Sequence, residues 1–206
     1  MNVLYEHTLL DTCYVKVIDF NNAKSKSIDL LKSLGVEKEI KRKDWFNIYS
    51  HIISHSFHIP IDDILKSEYG KPYIKNSNYE ISISHTDKAL AMILSKGKRV
   101  GIDIEKIDNR IGRIAHKFTH PEEEANILMP NKHLQQLILW CSKESMYKMY
   151  EERVLSFKNN IRLLNYKFSL EGSYLKAWVK KDNKSLFANG VYKKLGDYLL
   201  TYFIED

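Results

Sequence analysis

The stretch "YEISISHTDKALAMILSKGKRVGIDIEKI", residues Tyr79–Ile107, decides how the chain is organised. It holds three runs rich in strand-favouring residues, separated by polar breaks at His85–Lys88 and Lys96–Lys98. Connections this short join neighbouring antiparallel strands, so the spacing predicts an antiparallel meander. Within the last run, "RVGIDIEKI", alternation puts Val100, Ile102 and Ile104 on one face and Gly101, Asp103 and Glu105 on the other. Two carboxylates on one rigid face either meet water on an exposed sheet or hold a divalent cation, and the strand by itself does not choose.

Upstream, "TCYVKVIDF" (Thr12–Phe20) reads as a strand, and "SIDLLKSLG" as a short helix closed by Gly35. "EKEIKRKDWFNIYSHIISHSFHIP" carries Trp45, Ile48, Ile52, Ile53 and Phe57 near helical spacing, ending at Pro60; "EYGKPYI" then reads as a turn. Downstream, "NRIGRIAHKF" reads as helical, and "HPEEEANILM" begins a helix with Pro121 in its first turn and acids at its dipole-favoured end. The longest helix is predicted near Lys132 to Glu152, followed by strand-like "LNYKFSL", "YLKAWVKK" and "DYLLTYFIE". The order strand, helices, strands occurs twice. It predicts an α+β fold of two similar halves, residues 1–99 and 100–206, each an antiparallel sheet packed with helices, although no sequence repeat is evident.

With 206 residues, 44% hydrophobic and 12% aromatic, the chain can bury a sizeable core. Glu6 and Asp11 interrupt the apolar residues of "MNVLYEHTLLDTCYVK", which argues against a secretory signal, and no stretch reaches membrane-spanning length. Cys13 and Cys141 are too few for a disulfide framework and lack metal-site spacing, so they read as buried thiols of a cytoplasmic protein. A formal net charge of +6 favours anionic partners: nucleic acid, phosphorylated small molecules or an acidic protein.

A third carboxylate bears on the first two. In "LILWCSKESMYKMY", helical spacing groups Glu144 with Trp140, Tyr147 and Lys148 on one stripe. An acid shielded by aromatics needs a cation, either Lys148 or a metal. The alternative is an exposed Glu144–Lys148 pair, worth only about 0.3–0.5 kcal/mol. Lys143 beside it would ordinarily belong to a solvated face.

"GKPY", "ISISHT", "VGIDIE", "FTHPE" and "WCSKESMYK" follow one another between Gly70 and Lys148. In that order they resemble the Sfp-type 4′-phosphopantetheinyl transferase family, and the chain's length and double α+β organisation extend the resemblance to most of it. The resemblance implies a Mg²⁺ site at Asp103, Glu105 and Glu144, completed by the pyrophosphate of coenzyme A. It further implies transfer of the phosphopantetheine arm to a serine of an acyl or peptidyl carrier protein, with release of adenosine 3′,5′-bisphosphate. Glu144 would serve as base and Lys148 at the leaving group. Lys71, Ser84, His85, Lys143 and Lys148 would contact coenzyme A, while Phe118 and Glu122 match a position near the metal and carrier. A monomer with an internal pseudo-dimer is implied, with neither a nucleic-acid nor a membrane partner.

The chain also departs from the family. Lys41, Arg42 and Lys43 stand as candidates for the nucleotide end of coenzyme A, but "DWFNIYSHIISH" lacks the arginine usual there. "EERVLSF" replaces a glycine-containing turn. His51 and His55, four apart on a helix, have no acidic motif beside them and read as structural or exposed. Two rival readings remain: a metal-dependent nuclease, which also uses clustered carboxylates and a basic surface, and a non-catalytic carrier- or nucleotide-binding module.

Overall fold

The chain changes from one antiparallel sheet to another between Lys96 and Val100. The computed structural model describes residues 2–9, 12–19, 45–68, 70–150, 155–164 and 166–206. "SIDLLKSLG" and Lys41, Arg42 and Lys43 lie outside them. Before the changeover come β1 (Asn2–Leu9), β2 (Cys13–Asp19), α1 (Trp45–Phe57), β3 (Ile64–Lys66), β4 (Pro72–Ile74), β5 (Tyr79–His85) and β6 (Ala89–Lys96). After it come β7 (Val100–Lys106), α2 (Ala115–Phe118), α3 (Pro121–Glu124), α4 (Lys132–Tyr150), α5 (Phe157–Asn160), β8 (Ile161–Leu163), β9 (Gly172–Lys181), β10 (Lys184–Leu195) and β11 (Tyr198–Glu205). The fold is α+β. Among the described residues no helix is long and apolar enough to cross a membrane.

The first sheet runs in the order β1-β2-β6-β5 and the second β7-β11-β10-β9-β8, while β3 and β4 form a separate hairpin. The predicted three-strand meander is therefore corrected. β5 and β6 pair as expected, but both edges of β6 are occupied, by β2 and β5, so β7 has no edge to join there. It crosses to the second sheet and pairs with β11, setting Asp103 opposite Thr201. "LNYKFSL" is likewise not a strand among its described residues. There the Tyr192 hydroxyl takes the place of a ladder partner, accepting from the Ser169 amide at 2.7 Å and donating to its carbonyl at 2.8 Å. β10, interrupted in sequence by "NG", escapes the sequence reading altogether.

Three apolar clusters stack the layers. Trp45, Ile48, Ile52 and Ile53 of α1 pack on Ile18, Leu90, Met92 and Leu94 of the first sheet. The opposite face of that sheet, with Val15, Val17, Ala91 and Ile93, packs on Val100, Ile102, Ile104, Leu200 and Tyr202 of the second. On the far side of the second sheet, Ile138, Cys141, Met146 and Met149 of α4 join Leu175, Val179, Leu199 and Phe203. α4 approaches β7 so closely that a Cβ on Gly101 would lie 1.9 Å from the Ser145 carbonyl oxygen. That close approach is what glycine makes possible at the head of "GIDIE".

β5 and β7 are the facing edges of the two sheets, joined through side chains and not by a ladder. Ser82 Oγ accepts from the Ile102 amide at 3.2 Å, and Ser84 Oγ donates to Asp103 Oδ1 at 2.7 Å. Both serines are buried and, two residues apart on β5, share a face.

Candidate active site

The Gly101, Asp103, Glu105 face of β7 looks onto α4, as Gly101 against Ser145 requires. Asp103 is 3% exposed. Its Oδ1 accepts from Ser84 and, at 2.8 Å, from Lys148 Nζ, which also donates to the Ile102 carbonyl at 3.1 Å. Oδ2 is buried and, among the described residues, has no N–H or O–H donor. An orphaned carboxylate oxygen is costly unless something binds it.

Glu105 and Glu144 complete an acidic group whose members disfavour one another's charge. Burial, then the Asp103 charge, push the Glu144 carboxyl up to about 7, with Lys148 opposing. Glu105 is raised by the same two causes, against a hydrogen bond from the Trp140 side chain and the charge of Lys148. Cys141 lies beneath them, fully buried, and burial, the Asp103 and Glu105 charges and a thiol hydrogen bond to the Asp103 carboxylate push it well above the ordinary range. That agrees with an inert thiol. Among the described residues, no three His, Cys, Asp or Glu side chains converge closely enough to hold a metal by themselves. The ligand set that the resemblance implies, Asp103, Glu105 and Glu144, likewise needs the pyrophosphate of coenzyme A to complete it. Three mutually repelling carboxylates and the orphaned Oδ2 still suit a hard cation that takes the rest of its shell from substrate oxygens, as Mg²⁺ does.

Lys148 connects this acidic group to a cavity of about 830 Å³. Its walls come from both sides of the junction: Ser67, Glu68, Gly70 to Ile74, Ser77 and Tyr79 to Ile83 on one, Tyr147 and Lys148 on the other. Such a volume accommodates a sizeable ligand. Lys71 lines it, with Nζ 3.3 Å from Glu80 Oε2. Burial lowers the Lys71 ammonium pKa and Glu80 offsets this. His85, at the end of β5, is exposed and stacks on Trp45 of α1 with ring centroids 4.3 Å apart.

Two residues expected at the anionic site are placed differently. Ser84 uses its hydroxyl hydrogen on Asp103, which makes it a strut between the halves. Lys143 is 0% exposed. It donates to Glu123 Oε2 at 2.6 Å and to the carbonyls of Phe118 and Phe157 at 2.8 and 2.9 Å, so all three ammonium hydrogens have protein acceptors. One position along a helix turns a side chain by about 100°, which carries Lys143 away from the face of Glu144.

Its partner Glu123 was missed in the sequence, where the three acids of "PEEE" read alike as dipole-favoured residues at a helix start. Its two oxygens also accept from the His120 and Leu163 amides, whereas the Glu122 side chain is 81% exposed. The available signal was position: with Pro121 at the first helical residue, Glu123 falls where a capping-box acid belongs. Ser82 was missed too; its signal was a second hydroxyl two residues from Ser84 on one strand face.

Residues 99–203, just over half of the chain, match the 4′-phosphopantetheinyl transferase superfamily, and the chain belongs to that superfamily. The matched region takes in β7, α4 and nearly all of β11, and so contains Asp103, Glu105, Glu144 and Lys148. The chain is also similar to the 4′-phosphopantetheinyl transferase gsp of Aneurinibacillus migulanus, 36% identical over 97 residues. That similarity covers 44% of this chain and 39% of the relative, so the chain spans about two fifths of the relative's length.

Proposed function

We propose that the chain transfers the 4′-phosphopantetheine arm of coenzyme A to a serine hydroxyl of an acyl or peptidyl carrier protein in the cytoplasm, as a Mg²⁺-dependent holo-acyl-carrier-protein synthase. The observation that carries this reading is Lys148, which touches Asp103 and lines the 830 Å³ cavity on whose other wall Lys71 lies. A carboxylate cluster beside a cavity with cationic walls suits a ligand that brings a diphosphate and a divalent cation together.

In the proposed reaction the carrier serine oxygen attacks the phosphorus bonded to the pantetheine arm, and the bond from that phosphorus to the bridging oxygen breaks. Adenosine 3′,5′-bisphosphate leaves with the electron pair. Glu144 takes the serine proton. Burial and the Asp103 charge raise its carboxyl to about 7 before any cation binds, which marks it as more basic than an ordinary carboxylate. Lys148 and Lys71 offset negative charge along the diphosphate. Asp103 Oδ2, Glu105 and Glu144 are the groups that would hold Mg²⁺, which when bound neutralises charge developing on the phosphate. Ser84 and the Ser82 bond to β7 hold Asp103 in register across the junction, the positioning on which phosphoryl transfer depends.

The test is to incubate the chain with apo carrier protein, coenzyme A and Mg²⁺ and to weigh the carrier by mass spectrometry. The expected result is a carrier heavier by one phosphopantetheine; an unchanged mass across several acyl and peptidyl carriers would sink the reading. Asp103→Ala is expected to abolish the gain while leaving the circular dichroism spectrum intact.

A further inference from the structure

Lys148 faces two anionic demands at once. Its ammonium holds Asp103 Oδ1 at 2.8 Å, and the same side chain forms part of the cavity wall. Ser84 supplies a second hydrogen to Oδ1, so that oxygen is doubly bonded to protein donors while Oδ2 has no N–H or O–H donor among the described residues. An ammonium in contact with one oxygen of a carboxylate repels a second cation approaching the other. The repulsion is only weakly screened here, because Asp103 is buried. Lysine has a four-carbon stem with rotatable donors, so its head can change partner without backbone movement.

Helical spacing offers Lys148 to Glu144 as one of two cation partners, and the structure bonds Lys148 to Asp103. We propose that Lys148 couples divalent-cation binding to coenzyme A binding. Bonded to Asp103 it weakens the cation's hold, and a diphosphate in the adjoining cavity draws the ammonium off Asp103 and strengthens that hold. The inference rests on the coenzyme A reading given above. By reciprocity the cation must tighten coenzyme A binding by the same factor. Cation and coenzyme A then enter as a cooperative pair, and neither occupies the site well alone.

The test titrates Mn²⁺ into the full chain by calorimetry, with and without saturating coenzyme A, for the wild type, Lys148→Gln and Lys148→Arg. Melting temperatures taken in chelator confirm that each variant is folded, and Lys148→Met replaces Lys148→Gln if the latter is not. The wild type is expected to bind Mn²⁺ roughly tenfold more tightly with coenzyme A present, within the usual range of coupling factors. Lys148→Gln is expected to bind Mn²⁺ alone several-fold more tightly than the wild type. Its coupling factor should shrink, leaving what the diphosphate oxygens contribute directly as ligands. Lys148→Arg, which keeps the charge, should retain the weak binding of Mn²⁺ alone. Coenzyme A binding together with a Lys148→Gln affinity for Mn²⁺ no tighter than the wild type's overturns the coupling. No coenzyme A binding by the wild type, with or without Mn²⁺, overturns the transferase reading instead.

Discussion

At Asp103 the two carboxylate oxygens have different surroundings: Oδ1 accepts from Ser84 and Lys148, and Oδ2 has no N–H or O–H donor among the described residues. Its neighbour Glu144 bears the consequence, since burial and the Asp103 charge lift its carboxyl from the ordinary 4.5 to about 7. Between those values the folded chain holds a proton that the unfolded chain has released, so Glu144 lowers stability as pH rises through that window. Glu144→Gln should therefore melt higher than the wild type at pH 8 in chelator while losing transfer; a lower melting temperature would contradict the repulsion. If Glu144 is the base, the wild-type transfer rate should fall at acid pH as its carboxylate is protonated, which a rate–pH profile reads directly. Lys143 and Glu123 present the opposite case, a buried pair whose polar atoms are all bonded. Removing one partner strands the other, so Glu123→Ala should cost about 3–5 kcal/mol in urea unfolding. A loss below about 1 kcal/mol would mean that the pair carries little of the fold.

Among the elements, β7 and α4 together make the acidic group, and their separation is set at Gly101. A Cβ there would lie 1.9 Å from the Ser145 carbonyl oxygen and 2.8 Å from its carbon, both backbone atoms that cannot move aside alone. Gly101→Ala must push α4 away from β7. It should lower the melting temperature and weaken Mn²⁺ binding together, and retention of both would show that the gap is not needed. Strand alternation made the shared face of Asp103 and Glu105 legible from sequence, and helical spacing set Glu144 beside Lys148 and Trp140. Neither period reveals which element lies opposite. Lys143 shows the limit: its neighbours in sequence suggest a solvated lysine, yet Phe118, Glu123 and Phe157 converge on it from segments 14 to 25 residues away.

Across the whole molecule the two sheets share a core, with Val15, Val17, Ala91 and Ile93 set against Val100, Ile102, Ile104 and Leu200. A chain cut after residue 99 would expose that face and lose the partners of Ser82 and Ser84. It should express as aggregate or bind a hydrophobic dye strongly, and a soluble, cooperatively melting fragment would show that the first half folds alone. The cavity belongs to the junction as well, since Lys71 and Lys148 come from opposite sides of it. By itself the sequence determined the α+β class, the extents of β2, β5, β6, β7, α4 and β11 to within a few residues, and which carboxylates share a face. Those follow from local period and local breaks. Only the tertiary structure decided that β7 leaves the first sheet, because the second edge of β6 is taken by a strand some seventy residues earlier in the chain. It also decided that Ser84 braces Asp103, that Lys143 is interior, and that Lys148 stands between an acid and a cavity. Each of these depends on what approaches from a distant part of the chain, and periodicity along one segment carries no information about that.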